Sequence, residues 1–282
     1  MQIIIQSGIG VPKKYYPDVI LNRFDIRYKD NNYWMCISAQ TKQYEIGFHI
    51  DDKQCMLGIL NVNLEAEILK QIVLYLFKNY PMIERVSFQT MICNPVEFGL
   101  EVKCHEHKFW SLKLPSSYDE LLERENTKFL RKMRYEIKHL KKKVGNYCID
   151  TYTVNEIPTA IMEKFFSWKR NRYPHSFSEH SSKNYLYRDR RPVSNAYVLK
   201  INARVVAVLF TAEQCEIAYL VNTAFDPQFA QYSVGRLLYY ELLRQLIDKN
   251  TKELYLGTGK YDYKKSFGAT ALECWIGDFF RG

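Results

Sequence analysis

The residues best suited to chemistry lie towards the C-terminus, in segment 231–236, which reads Gln-Tyr-Ser-Val-Gly-Arg and precedes a leucine-rich stretch. The first amides of a helix have no intrahelical acceptor and carry a partial positive charge, so a helix start can bind an anion. Ser233 and Gly235 are small enough for a phosphate to approach the backbone, and Arg236 adds a full charge. The segment therefore predicts a phosphate site, with an ordinary capped helix as the alternative.

The elements that would position this segment are short strands and helices in alternation. Asn202 suits the tight turn of a hairpin, and Ser233 is predicted to cap the helix that carries Leu237 and Leu238. A glycine-rich turn at 257–259 and a short helix at about 261–267 would follow. Alternation and β-branched content predict strands at 196–201, 205–211, 216–221, 253–256 and 272–276, with a loop at 222–232.

The first third of the chain predicts a β-β-β-α-β run. A helix would begin after Asn63, with an apolar face that includes Ile68, Ile72 and Leu76, and would end at Pro81. This order indicates a mixed sheet with a helix packed on it. The strands of this run are predicted at 33–38, 44–50, 55–60 and 86–91.

The middle of the chain predicts a long basic helix and a long connection. The pair Ser117 and Glu120 forms a capping box, and Gly145 would end the helix. A second helix would start at about Pro158. The irregular stretch 170–192 is longer than most connections, which favours a binding loop.

Three segments resemble the GNAT acyltransferases, and in particular the branch known from cellulose and surface-polysaccharide biosynthesis clusters. Ser-Val-Gly at 233–235 is similar to the Ser-Pro-Gly helix start of that branch. GTGKYDYKKSFG at 257–268 resembles its Gly-x-Gly-Asp-Glu-x-Tyr-Lys-x-x-Phe-Gly segment. The basic helix that contains FLRKMR at 129–134 resembles the helix that opens its catalytic half. Together these segments cover about residues 117–277.

This resemblance implies an α/β fold of tandem GNAT-like halves, each a mixed, mainly antiparallel sheet flanked by helices. Residues 1–115 would form a degenerate half, in a Fem-like arrangement, and residues 116–282 the catalytic half. Two departures stand out. The usual Gln/Arg-x-x-Gly-x-Gly/Ala signature has Val234 and Arg236 at its glycine positions, and the branch's acidic pair is Lys260-Tyr261 here.

The resemblance also implies acyl transfer from acetyl-CoA or another acyl-CoA to a small amine, such as an amino sugar or a nucleotide sugar, by direct attack on the thioester. Tyr263 or Tyr261 would protonate the leaving thiolate, and Glu216 or His175 would act as the base. A backbone amide of the strand near Leu220 would polarise the acyl carbonyl. The residues expected to bind the cofactor are Leu220, Val221, Gln231, Ser233, Val234, Gly235, Arg236 and Lys264.

Composition narrows the partners without choosing among them. The 282 residues are 47% hydrophobic and 25% charged, with a net charge of +9, which is typical of a globular protein that attracts polyanions. Seven scattered cysteines and no evident leader or membrane-length apolar run predict a cytoplasmic protein with reduced thiols. Cys-His-Glu-His at 104–107 lies on a predicted strand and lacks the separated ligand pairs of a zinc site, so no metal is expected.

Two alternatives keep the same scaffold. A Fem-type transferase would take aminoacyl-tRNA as its donor, and the basic helix would suit that RNA. A non-catalytic module would use the same helix to bind nucleic acid through its phosphates. Binding of a single strand favours several aromatic residues among the cations, and on this helix only Tyr135 lies among the lysines and arginines. Nucleic acid is therefore not the expected partner.

Overall fold

The structure is a computed structural model that describes residues 2–7, 32–39, 42–57, 66–123, 127–153, 156–174, 195–214, 216–258 and 263–282. Its helices are α1 (Ala66–Asn79), α2 (Tyr118–Glu123), α3 (Thr127–Lys143), α4 (Thr159–Arg172), α5 (Val234–Asp248) and α6 (Tyr263–Ser266). Its strands are β1 (Gln2–Ser7), β2 (Asn32–Ala39), β3 (Lys42–Asp51), β4 (Gln54–Leu57), β5 (Arg85–Met91), β6 (Val102–Lys113), β7 (Tyr147–Thr153), β8 (Asn195–Ile201), β9 (Arg204–Gln214), β10 (Ile217–Phe225), β11 (Glu253–Thr258) and β12 (Thr270–Phe280).

The described strands form one mixed sheet of 12 strands in the order β1-β2-β3-β4-β5-β12-β6-β11-β10-β9-β8-β7. Each half of this sheet repeats one pattern, in which an antiparallel meander leads into a helix and then into a parallel strand. The parallel pairs are β4 with β5, across α1, and β10 with β11, across α5. The described halves thus share one local topology.

The two half-sheets exchange their last strands. β6 pairs with β11, β12 pairs with β5, and β6 and β12 pair with each other along the centre of the sheet. The predicted boundary at 115/116 falls just after β6. It stays a prediction because the hydrogen-bonded ladder runs through both halves without a break.

Burial follows the apolar patterns of the sequence. α1 packs Ile68, Ile72 and Leu76 into a core that includes Phe88 and Phe279 of β5 and β12. α5 packs its leucines on β8, β9 and β10 from one face of the sheet. α4 covers the opposite face of the same strands. The sheet of the C-terminal half is therefore covered by helices on both faces, with α2 and α3 joining the core on the side of α5.

Several elements differ from their predicted bounds. The region predicted as one long basic helix contains two helices, α2 and α3. At the start of α2, the carboxylate of Glu120 accepts a hydrogen bond from the amide of Ser116, and the hydroxyl of Ser117 accepts one from the amide of Glu120. Most of the loop predicted at 222–232 is instead the end of β10 and a 3₁₀ helix, Pro227–Tyr232, whose first turn is capped by Asp226. β12 is longer than predicted and reaches Phe280. β1 has no counterpart in the predictions.

Other predictions agree with the structure or lie outside it. The hairpin turn has Asn202 and Ala203 at φ 48° and 65°, as a tight turn between β8 and β9 requires. Asn63 and most of the stretch 170–192 lie outside the described residues. Across the described ranges, no helix is both long enough and apolar enough to cross a membrane.

Candidate active-site cleft

The cleft opens where the two parallel strands β10 and β11 stop pairing. Their ladder has three residue pairs and ends at Tyr219 and Tyr255. Immediately afterwards β10 bulges against β9 at Val221, and β11 bulges against β6 at Leu256. A bulge bends its strand and increases the local twist. Two bulges side by side therefore separate the strands and leave a gap through the sheet.

A cavity of about 590 Å³ fills this gap. Its walls come from β9, β10 and β11, from the last turn of α4 on one face and from the first turns of α5 and α6 on the other. The volume lies in the range of small-molecule sites. A ligand in the gap would contact main-chain atoms of both strands and reach both faces of the sheet.

The start of α5 forms one end of the cleft. Among the described residues, the amides of Val234 and Gly235 have no hydrogen-bond acceptor, while those of Arg236 and Leu237 donate to the Ser233 carbonyl. Gly235 lies so close to Phe225 that an added Cβ would be 3.1 Å from Cδ1 of that ring. The helix start thus offers main-chain donors and a glycine beside the cleft, which suits an anion.

Ser233 is the N-cap residue of α5, as predicted, but it does not cap the helix with its side chain. Ser233 adopts a left-handed conformation, with φ 53°, and its side chain makes no capping hydrogen bond. It ends the preceding 3₁₀ helix, where its amide donates to the carbonyl of Ala230 at 3.0 Å. The 3₁₀ helix therefore ends and α5 begins at the left-handed backbone of Ser233.

Lys264 is a buried cation at the point where the strands separate. Its Nζ donates to the carbonyls of Leu256 at 2.8 Å and Gly257 at 3.1 Å, and only 3% of the residue is exposed. Burial lowers the pKa of this lysine to about 8. The sequence predicted a phosphate contact for Lys264, whereas the structure places its charge on the bulge of β11.

Two further cations come from the last turn of α4. Lys169 is buried, with Nζ 5.5 Å from the ring centre of Tyr173, and burial followed by the nearby charge of Arg172 lowers its pKa to about 8. Arg172 is exposed and lies over the ring of Phe225. None of the described residues that line the cleft is acidic. The cleft is therefore positive on both faces of the sheet.

Gly257 sets the width of the gap. Its φ is +68°, and an added Cβ would lie 3.0 Å from Oη of Tyr219 on the opposite strand. We expect Gly257→Ala to lower the free energy of unfolding by roughly 1–2 kcal/mol through the left-handed backbone and to weaken ligand binding in the cleft. Thermal unfolding measures the first effect, and titration with coenzyme A, the ligand that the sequence resemblance implies, measures the second.

Gly282→Ala is the matched control, because a Cβ at that position meets nothing within 4 Å. If Gly257→Ala has the same free energy of unfolding and the same affinity for coenzyme A as the wild type, the gap does not depend on the backbone conformation of Gly257.

The structure brings together five of the eight residues predicted to bind the cofactor. Leu220, Val221, Gly235, Arg236 and Lys264 all line the cleft. The other three contribute no side chain to it, since Gln231 is exposed on the 3₁₀ helix, Ser233 turns the chain, and Val234 is buried in the core.

The predicted catalytic residues are placed less favourably. Glu216 precedes β10, is exposed and lies at the end of that strand away from the gap. Its carbonyl accepts from the amides of Lys252 and Glu253. The structure therefore does not bring Glu216 to the gap, and its role as general base stays a prediction. Tyr263 starts α6, beside Lys264, but its side chain is outside the described part of the structure, as are Tyr261 and His175 entirely.

Sequence reasoning missed the residues contributed by α4 and the aromatic wall. Lys169, Arg172 and Tyr173 line the cleft, as do Tyr219 and Tyr239. The sequence did carry a signal for the α4 residues, because three cations in one last turn are more than the stabilisation of a helix end requires. Nothing local marked Tyr219, whose position depends on the pairing of β10 with β11.

The Cys-His-Glu-His segment lies on β6, as predicted, with the rings of His105 and His107 5.8 Å apart. Within the described ranges, no three His, Cys, Asp or Glu side chains converge in a way that could hold a metal ion.

Residues 127–265 match the family described as acetyltransferase (GNAT) domain. This range runs from α3 into α6 and contains both strands of the cleft. A search of curated proteins finds no match. The branch from polysaccharide biosynthesis clusters stays a prediction.

Solved structures with the same fold cover most of the chain. The C-terminal (DUF2156) domain of a candidate lysylphosphatidylglycerol synthetase from Agrobacterium fabrum has a TM-score of 0.58 at 9% identity, covering 83% of this chain and 80% of that one. L-PGS from Bacillus licheniformis has a TM-score of 0.57 at 8% identity, covering 92% of this chain and 84% of that one. FemX has a TM-score of 0.58 at 8% identity, covering 88% of this chain and 87% of that one. The predicted fold class, α/β with GNAT-like halves in tandem, is confirmed.

Proposed function

We propose that this chain, whose residues 127–265 carry a GNAT acetyltransferase domain, transfers an acyl group from a coenzyme A thioester to a small amine. The observation that carries the proposal is the gap between β10 and β11, which has a helix start at one end and a buried cation at its apex. The helix start suits a diphosphate, and the buried cation suits an acyl carbonyl.

The start of α5 is the proposed site for the diphosphate of the donor. The amides of Val234 and Gly235 would donate to phosphate oxygens, and Arg236 would add a full charge. These interactions use the backbone, which explains why departures from the usual signature at 234 and 236 are compatible with binding. The arm that carries the thioester would then extend into the gap.

Acyl transfer proceeds by direct attack of the amine on the thioester carbonyl. A C–N bond forms as the C–S bond breaks, the nitrogen loses a proton to solvent, and the thiolate leaves with the bonding electrons and is then protonated. A main-chain amide at the bulge of Val221 would stabilise the oxyanion, together with the charge of Lys264. Tyr263, which precedes Lys264, remains the proposed proton donor to the thiolate.

The positive charge of the cleft favours a particular kind of acceptor. Cations near an amine lower its pKa, so more of the nucleophilic free amine is present at neutral pH. Lys169 and Arg172 on the α4 face also favour an acceptor that carries an anionic group. Among the amino sugars implied by the sequence, we therefore propose one linked to a nucleotide diphosphate.

A donor and acceptor screen tests this function. Free, acetyl and longer acyl coenzyme A are added in a thermal-shift experiment, and release of free thiol is then followed with amino sugars and their nucleotide-linked forms. The expected result is stabilisation by coenzyme A and thiol release that depends on a nucleotide-linked acceptor. An aminoacyl-RNA donor is included as the alternative. Absence of both stabilisation and thiol release would refute the coenzyme A assignment.

A further inference from the structure

The outward face of α3 is far more basic than a helix needs for solubility. Between residues 131 and 143 it exposes seven cations, namely Arg131, Lys132, Arg134, Lys138, Lys141, Lys142 and Lys143. Glu136 is the one acidic residue of this stretch, and it lies 3.9 Å from Lys132. At about 1.5 Å per residue, α3 is about 25 Å long, which is longer than one nucleotide needs.

Aromatic rings continue from this face to the start of α5. Tyr135, which is 71% exposed, lies 6.4 Å from the ring of His139, with 15° between their planes. His139 is 6.4 Å from the ring of Tyr232, and Tyr232 is 6.3 Å from that of Phe229. We call these four residues the ring stripe. It ends directly before Ser233, next to the cleft.

Cations flank the ring stripe at helical spacing. Residues three or four positions apart are neighbours on a helix surface, which places Arg131, Lys132 and Lys138 beside Tyr135, and Lys142 and Lys143 beside His139. At the far end the guanidinium of Arg204 lies 5.0 Å from the ring centre of Phe229, but it is paired with Asp226 at 2.7 Å, so the free cations are those of α3. Rings with cations on both sides match a strand whose bases stack while its phosphates pair with the cations.

We propose that α3 and the ring stripe bind single-stranded RNA. Tyr135 and His139 are exposed, and Tyr232 and Phe229 are half-buried with one side against the core. Exposed ring surface binds bases that are unstacked, as they are in the loops and ends of RNA. The apolar side of α3 is already used, because Met133 and Leu140 are fully buried against the core. Over residues 131–143, where the side chains of α3 are described, the helix therefore lacks the free apolar face that insertion into a membrane surface requires. The sequence showed Tyr135 alone, and the structure adds the other three rings.

Fluorescence anisotropy with a short labelled single-stranded RNA of mixed sequence tests the proposal with the full chain. Tyr135→Ala is expected to weaken binding roughly tenfold through the loss of one stacked base, and Tyr135→Phe, which keeps the ring, to bind like the wild type. Lys138→Gln with Lys142→Gln should reduce the slope of log affinity against log salt by about 1.4, which corresponds to two phosphate contacts.

Lys78→Gln with Lys252→Gln is the matched control, since both lysines are exposed and lie on α1 and before β11. Equal RNA affinity of the control and the α3 variant, or no effect of Tyr135→Ala, would overturn the proposal. Preference for vesicles of anionic phospholipid over RNA would assign the surface to a membrane instead. Equal binding of single-stranded DNA would support strand binding and overturn the assignment to RNA.

Discussion

Lys264→Met is expected to lower kcat about 100-fold, the usual effect of removing one group that stabilises the oxyanion. The charge of Lys264 is held on the carbonyls of Leu256 and Gly257, at the point where β10 and β11 separate. Methionine retains an unbranched chain of similar length and removes the charge. Steady-state rates at saturating donor measure the loss.

The pH profile distinguishes a charge that acts in the reaction from one that only supports the strand. Burial lowers the pKa of Lys264 to about 8, so its ammonium form is lost as the pH rises through that value. We expect kcat of the wild type to fall above about pH 8. In Lys264→Met this descending limb should disappear from kcat measured at saturating acceptor, because the group that acts on the oxyanion is gone, whereas Lys169, whose pKa is also lowered to about 8, would affect acceptor binding.

Lys265→Gln is the matched control, since Lys265 is exposed and adjacent in the chain. It should keep the rate and the profile of the wild type. A Lys264→Met variant that loses activity but keeps the descending limb would assign that limb to another group and leave Lys264 a structural role.

The sequence could locate the start of α5 because its signals are local. A small residue, a glycine and an arginine directly before a leucine-rich helix indicate a helix start that can approach an anion. The same holds for the hairpin at Asn202, where a positive φ is needed between two apolar strands. These predictions depended on a few consecutive residues, and the structure places them as expected.

The cleft itself depends on pairing between distant strands. β6 lies between β11 and β12, although more than 130 residues separate β6 from β11 in the sequence. No local pattern specifies such neighbours, and none specifies that the bulges of β10 and β11 stand side by side. Glu216 was chosen as base for its place near a strand, but the direction of β10 carries it away from the gap.

The exchange of last strands links the two halves of the chain to the site. β6 belongs by order to the first half, yet it pairs with β11 and so supports the strand that carries Gly257 and its bulge. β12 in turn closes the first half by pairing with β5. A first half without chemistry of its own would still be required, because it supplies the strand on which one wall of the cleft is built.

Arg236→Glu is expected to separate binding of the donor from stability of the fold. Arg236 is exposed, is the third residue of α5 and lines the cleft. An acidic residue in the first turn favours the helix dipole, by about 0.3–1 kcal/mol. The same carboxylate would repel a diphosphate at the amides of Val234 and Gly235, so we expect the affinity for coenzyme A to fall about 100-fold, close to 2.7 kcal/mol. Calorimetric titration and thermal unfolding measure the two quantities.

A lower affinity for coenzyme A together with an unchanged or higher thermal stability would exclude damage to the fold, because such damage lowers both quantities. Lys252→Glu makes the same charge reversal at an exposed position before β11, at the end of the β10–β11 ladder away from the gap, and should leave the affinity within about threefold. Arg236→Gln removes the charge without adding a repulsion and should fall between the wild type and Arg236→Glu. If Arg236→Glu binds coenzyme A as tightly as the wild type, the diphosphate does not lie at this helix start, and the cleft receives its donor from the face of α4.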